Sequence, residues 1–402
     1  MDRQAAPVLL ALVGAGGCAH SFGDDVEFLQ RHTATVVLSD AGGTARVVLC
    51  PALQGRVATS TAAGAKGASF GWLNRELIAS GKLAPHMNVY GGEDRFWLGP
   101  EGGQFSLFFA PGVPQDLAHW QTPAPIDAEP FTLAETSDDR ALLRKTMRVT
   151  NASGTVFDID VEREVRLYPA ERTWKEAGVA ANGRVAVVGF ESRNRVTNRG
   201  AAPWRHDTGL VSIWIAGTFS PSPSTIIVVP LRPGSEAELG PIVNDKYFGH
   251  VPPDRMALKG NAIYFRGDGQ QRGKIGVTPR RALPVLGSYD AAGHVLTLVT
   301  FTLPQGAAAQ DYVSSLWEQQ REPYRGDASN AYNDGPPSPG AKPLGPFYEL
   351  ESSSPAAALA PGAWAEHIHR TLHFVGAPED LDAVARAALG VGVADITSAF
   401  AR

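Results

Sequence analysis

Two carboxylates set two residues apart, Glu349 and Glu351 in Tyr348-Glu-Leu-Glu351, carry the sharpest chemical signal in the chain. On a strand, residues i and i+2 project from one face, so both acids point the same way and Leu350 points the other. Crowded like charges raise the pKa of one member, which suits general acid and base work. On a solvent face the same pair would be ordinary surface charge.

Three further clusters collect polar and aromatic side chains where the strand pattern breaks. In Pro85-His-Met-Asn-Val-Tyr-Gly-Gly-Glu-Asp-Arg-Phe-Trp-Leu-Gly-Pro-Glu-Gly-Gly103, glycine pairs let backbone approach a ligand. There His86 and Arg95 can donate hydrogen bonds, Tyr90 and Trp97 offer flat faces to a sugar ring, and Asp94 and Glu101 supply carboxylates. A tight loop that satisfies its own polar groups is the competing account. A second cluster joins Glu191, Arg193, Asn194, Arg195, Arg199, Trp204, His206 and Asp207 to Asn244, Asp245, Tyr247 and Lys274. It is either an open polar cleft or a solvated rim. The third is Tyr332-Asn333-Asp334-Gly335, which precedes the paired glutamates.

His367, His369 and His373 share a strand face by the same period-2 argument, with Ile368, Leu372 and Phe374 opposite as core. That face is a metal site or a solvent face, and the expectation is no metal. The chain has no P-loop, GxGxxG, HExxH or GxSxG element in its required context, which counts against nucleotide, dinucleotide, zincin and α/β-hydrolase chemistry. No cofactor is expected.

The elements that position these groups are mostly strands. With 402 residues, 44% of them hydrophobic, the chain is long enough to bury a large core, and its net charge of −5 without a basic tract excludes a nucleic-acid footprint. Short β-rich runs recur from Thr33-Ala-Thr-Val-Val-Leu-Ser39 to His367–Phe374, including Gln104–Phe109, Val185–Glu191, Gly209–Ile215 and Thr225–Pro230. The expected class is all-β, one sandwich domain over residues 26–395 with few helices. Those helices are Gly71–Ser80, Asp311–Gln320 and Pro378–Leu389, the last with Pro and acids in its first turn and Gly390 just beyond. Asp327–Leu344, rich in Asn, Asp, Gly, Pro and Ser, is expected as a long surface loop.

At the N-terminus, the apolar run Ala5–Gly17 is too short to span a bilayer and ends at Cys18. Small residues before Cys18 resemble a bacterial lipobox, so residues 1–18 are expected to be a signal segment with Cys18 lipidated. A simple signal cleavage near the same place is the alternative. The expected location is the periplasm or outer membrane, with membrane contact only through the lipid. Cys50 is then expected as a buried free thiol in a strand.

The closing residues point to a family. Phe347-Tyr-Glu-Leu-Glu-Ser-Ser-Ser-Pro355, Leu359-Ala-Pro-Gly362 and Thr371-Leu-His-Phe374 resemble the final hairpin of the aldose 1-epimerase (galactose mutarotase-like) superfamily. With Tyr90–Gly103, Val243–Gly249 and Tyr332–Gly335, the chain is similar to an uncharacterised bacterial branch of predicted lipoproteins, over roughly residues 30–395. The resemblance implies a β-supersandwich with a concave sugar cleft, a mono- or oligosaccharide partner, and Glu351 as catalytic base in a cofactor-free isomerase. The histidine acid of mutarotases follows a Thr-Asn-x-Gly turn; after Thr197-Asn-Arg-Gly200 no histidine occupies that place, and His206 or His86 is expected to substitute. Arg95 or Lys274 would suit an anionic sugar. Two other readings of the same cleft stand beside the isomerase. One is a hydrolase or lyase whose second acid is Asp94, Glu101 or Glu191. The other is a non-catalytic glycan-binding lipoprotein that uses Tyr90, Trp97, Trp204 and Tyr247.

Overall fold

The computed structural model describes residues 20–306, 311–338 and 340–401. The first strands are β1 (Val36–Ser39), β2 (Arg46–Cys50), β3 (Arg56–Thr61), β4 (Arg95–Gly99), β5 (Thr132–Thr136) and β6 (Arg140–Thr150). Next come β7 (Val156–Leu167), β8 (Ala186–Asn198), β9 (Ser212–Phe219), β10 (Thr225–Pro230), β11 (Met256–Lys259) and β12 (Ala262–Arg266). The last are β13 (Gly273–Val277), β14 (Val285–Asp290), β15 (Val295–Phe301), β16 (Ser329–Asn333), β17 (Tyr348–Ser353) and β18 (Trp364–Val375). Short helices punctuate them: α1 (Phe22–His32), α2 (Arg75–Ser80), α3 (Ala124–Asp127), α4 (Ala170–Glu176), α5 (Glu236–Leu239), α6 (Pro378–Leu389) and α7 (Val393–Thr397).

The strands form three antiparallel sheets, in the orders β1-β2-β3, β11-β12-β10-β14-β15-β18-β8-β7-β6-β5 and β13-β16-β17-β9-β4. The class is all-β, as the alternating runs imply. The ten-stranded sheet is apolar on both faces over much of its span, because each face has its own cover. On β10, Ile227 and Val229 pack inward with Ile275, Ala331 and Leu350 of the five-stranded sheet. Ile226 and Val228 on the same strand pack outward with Leu381, Val384 and Ile396 of α6 and α7. Alternation along one strand thus feeds two separate cores.

Helix ends follow local chemistry. Pro378 opens α6, and Gly390 closes it at φ 72°, a left-handed turn that glycine adopts without steric cost. Helix α1 begins at a capping box: the Asp24 amide donates to Ser21 Oγ (3.2 Å) and the Ser21 amide donates to Asp24 Oδ2 (2.9 Å). Its apolar stripe of Phe22, Phe28 and Leu29 covers Val48, Cys50 and Ala58 of β2 and β3. Cys50 is a buried free thiol whose pKa burial pushes up to about 12, so it is inert as a nucleophile.

Three expected elements differ. Asp311–Gln320 is irregular chain, not helix, crossing the open side of the five-stranded sheet. Gln104–Phe109 forms no strand; Phe108 and Phe109 instead turn onto Trp97, Trp120 and Trp317. The stretch expected as a surface loop, Asp327–Leu344, begins with strand β16, whose five residues are all buried. Turn-type residues fit there because Asn330 and Asn333 send their side-chain amides to the backbone oxygens of Ile275 and Gln271.

Between the two larger sheets lies a polar layer. Arg163 on β7 is fully buried and donates to Asp94 Oδ1 (2.6 Å), Asn194 Oδ1 (2.6 Å) and the Gly55 carbonyl (2.9 Å). The three histidines of β18 face this layer rather than solvent. His367 Nε2 and His369 Nδ1 each lie 2.8 Å from Ser352 Oγ, and His373 Nε2 lies 2.9 Å from Glu93 Oε2. Among the described residues no cluster of His, Cys, Asp and Glu has metal-site geometry. Burial is the main reason His367 and His369 titrate far below an ordinary histidine, at about 3 and about 4.

A pH effect follows. The folded protein keeps both rings neutral while the unfolded chain protonates them below about pH 6.5. Their contribution to stability is therefore complete above about pH 6.5 and lost as pH falls toward 4, at about 1.4 kcal/mol per histidine per pH unit. Denaturant unfolding of wild type and an H367N/H369N variant at pH 5 and 7 checks this. The variant should lose less stability on acidification, and equal pH slopes would contradict it.

Candidate functional site

The five-stranded sheet turns one face to its sibling sheet and the other to an open cleft. Register fixes which side chains share the open face. Lys274 on β13 lies opposite Tyr332 on β16, Tyr332 opposite Glu349 on β17, and Glu349 opposite Thr218 on β9. One step along the sheet, Glu351 and Arg95 flank Ala216 from either side, and Trp97 lies opposite Trp214. Leu350, between the glutamates, is fully buried in the inter-sheet core, as alternation requires. The cavity over this face measures about 230 Å³, below the roughly 300–1,000 Å³ of pockets for drug-sized ligands, and suits a small molecule.

Four tryptophans, Trp97, Trp120, Trp214 and Trp317, line it together with Phe248 and Phe347. Such flat apolar faces suit the C–H face of a sugar ring. The charged groups converge below them. Lys274 Nζ lies 3.0 Å from both carboxylate oxygens of Glu351, and Trp214 Nε1 donates to Glu351 Oε2 at 2.8 Å. Glu351 is fully buried, whereas Glu349 keeps 8% of its surface and lines the cavity. Thr218 Oγ1 donates to Glu349 Oε1 at 3.1 Å, and an Arg95 guanidinium nitrogen stands 3.7 Å from the same oxygen.

Burial pushes the Glu349 carboxyl up to about 6; Arg95 opposes the shift and the neighbouring Glu351 charge reinforces it. Glu101, on the loop after β4, is also raised, again chiefly by burial. Lys274 behaves differently. Burial disfavours its charge, but Glu351, Glu101 and Glu349 together reverse that and hold the ammonium above the ordinary lysine range. The site therefore sets a buried Lys274–Glu351 ion pair beside two carboxyls, Glu349 and Glu101, that burial raises.

Residues 20–400 match the family model described as "Family of unknown function (DUF6786)". The chain belongs to this family. No curated protein matches. Among solved structures, the chain is similar to a galactose mutarotase-like protein from Lactobacillus casei, at 11% identity, 85% of this chain, 100% of that one and TM-score 0.48. It is also similar to a galactose mutarotase related enzyme from Lactobacillus acidophilus, at 8% identity, 85% and 97% coverage and TM-score 0.45.

In this DUF6786 chain, the sequence candidates divide by location. Glu349, Arg95, Trp97, Glu101, Lys274 and Asp334 line the cleft, and Glu351 lies directly beneath it. Asp334 is spent on structure, accepting from the Tyr332 hydroxyl and the Gly345 amide. Tyr247 and Asn244 flank the cleft in an annex, both donating to Asp327 Oδ2, at 2.7 and 3.0 Å. Burial lifts Asp327 to about 6, and Gly276 makes room for it, since a β-carbon there would overlap its carboxylate.

The remaining candidates lie elsewhere. Asp94 and Asn194 are held by Arg163 between the sheets, and Glu191 accepts from the Tyr168 hydroxyl at 2.6 Å on the far side of the ten-stranded sheet. His206 is exposed, 2.9 Å from Asp311, and His86 is exposed with Nδ1 2.7 Å from the Trp120 carbonyl. Neither histidine is among the residues that line the cleft. Tyr90 is buried under Arg56, Trp204 packs on Phe157, Asp245 meets His250, and Asn333 braces a turn. Cys18 lies outside the described residues. Trp120, Trp214, Trp317, Arg272 and Asp327 belong to the site without having been candidates. Only Trp214 carried a sequence signal, as the residue between Ile213 and Ile215 whose face opposes the core.

Proposed function

We propose that the cleft binds a monosaccharide-sized sugar and shuttles protons at its anomeric centre, as an aldose 1-epimerase-like isomerase. The observation that supports this best is the pairing of tryptophan walls with Glu349, a cavity-lining carboxyl poised near 6. In the proposed step, ionised Glu349 takes the proton of the anomeric hydroxyl while protonated Glu101 gives one to the ring oxygen. The C1–O5 bond breaks as the carbonyl forms, and reclosure on the other carbonyl face returns both protons. The resemblance assigned the base to Glu351. Here Glu351 has no exposed surface and its charge is clamped by Lys274 and Trp214, so the proposal gives Glu349 the contact with substrate and Glu351 the task of positioning and tuning it.

A binding-only glycan receptor is the second reading, favoured by the position of both candidate histidine acids away from the cleft lining. Anomer-exchange NMR on the purified protein with a panel of monosaccharides separates the two. Faster α/β exchange, rising with pH through about 6, is the expected result. Binding without exchange would leave the receptor, and no binding by any sugar would overturn the reading.

A further inference from the structure

We propose that the natural ligand is an anionic sugar, a hexose derivative bearing a carboxylate or phosphate, whose charge is gripped between Arg95 and Arg272. This rests on the sugar-cleft reading above and narrows its substrate class.

The two arginines share one arrangement on the cavity wall. The Arg95 guanidinium carbon stands over the Trp97 ring, 3.7 Å from its centroid, and that of Arg272 stands over Phe248 at 3.8 Å. Stacking fixes a guanidinium plane while leaving its edge N–H groups free, the geometry that grips a carboxylate or phosphate with two parallel bonds. The Nε of each arginine is buried without a hydrogen-bond partner. For Arg95, itself only 7% exposed, this is an unsatisfied charged donor in the wall of the cavity. Its carboxylate neighbour Glu349 stands at 3.7 Å, longer than a hydrogen bond. Buried donors of this kind are costly unless a ligand completes them.

The local charge is close to balanced. Arg95, Arg272, Lys274 and Lys342 line the cavity, against Glu101, Asp334 and Glu349. Lys274 is already neutralised by Glu351 below, which leaves Arg95, Arg272 and Lys342 against Glu101, Asp334 and Glu349, with the Arg272 charge acting on Asp334 and the Arg95 charge on Glu349. Protonation of Glu349 or Glu101, both raised by burial, tips the site positive. Neutral sugars offer hydroxyl acceptors to a guanidinium fork but no charge-assisted bidentate contact.

Isothermal titration with galactose and glucose, their uronates and their 6-phosphates, together with acetate and inorganic phosphate, tests the proposal. The expected result is that one anionic series binds at least about tenfold tighter than the parent sugars, as a charge-assisted bidentate contact allows. That preference should shrink in R272Q and in R272K, because lysine keeps the charge but not the planar fork. Which anionic series wins distinguishes carboxylate from phosphate. Equal affinity for neutral and anionic sugars would overturn the anion site while leaving the sugar reading intact. Competition by acetate or phosphate as strong as by the sugar acids would retain the anion site and overturn the sugar. A preference unchanged in both Arg272 variants would overturn the assignment of the grip.

Discussion

Replacing Glu349 by Gln is expected to slow anomer exchange by about 10²–10⁴-fold, the usual worth of a positioned proton-transfer group. Glutamine keeps the size of the side chain and a carbonyl for the Thr218 hydroxyl, so ligand affinity should change far less than rate. The inflection near 6, set by burial and by the Glu351 charge, should vanish with it. E351Q makes a sharper control. It removes a negative neighbour that raises Glu349 and frees Lys274 to attract it, so residual activity should survive with its inflection displaced to lower pH. Stopped-flow polarimetry across pH 4–8 on both variants reads these effects. Should E351Q abolish the inflection and E349Q only move it, the two roles would be exchanged.

Arg163→Met is expected to cost about 3–5 kcal/mol of folding stability, because it strands the Asp94 carboxylate in a layer without solvent. Asp94 Oδ2 already lacks a partner, and removing Arg163 also orphans Asn194 Oδ1 and the Gly55 carbonyl. Taking out the charge as well, in R163M/D94L, should recover much of the loss, since apolar substitutes for a buried pair are often neutral or stabilising. Urea unfolding of the two variants supplies the comparison. A double variant no better than R163M would locate the cost in packing instead of in unpaired charge.

These two cases also show what the sequence could reveal. Period-2 alternation was enough to place Glu349 and Glu351 together and Leu350 behind them, because strand geometry alone decides which residues share a face. Cys50 and the ends of α6 were legible for equally local reasons, one an apolar run and the other proline and glycine at helix boundaries. Alternation does not say what a face meets. His367, His369 and His373 share their face as expected, yet it meets Ser352 and Glu93 between sheets, not water. Asp94 sits one residue from Arg95 and belongs to Arg163 on a strand about 70 residues away, a pairing that only topology creates. Trp120 and Trp317 reach the cleft from irregular chain, where no periodicity marks them. Helix α1 was missed although Ser21 and Asp24 form its capping box, because it follows directly on the apolar leader-like run.

Strand β18 lies in the middle of the ten-stranded sheet, between β15 and β8, although it is the last strand in the chain. On a ribosome, the meander β5–β8 and the group from β10 to β15 would each be complete well before the piece that joins them appears. Until residue 375 has emerged, β15 and β8 present long unpaired edges, the kind of surface that chaperones cover and that neighbouring chains pair with. Strand β17, with both glutamates, is likewise inserted late between β16 and β9. Assembly of the sheet and of its proton-carrying face is thereby deferred to the end of synthesis, so that a prematurely terminated chain carries neither a closed sheet nor a working cleft.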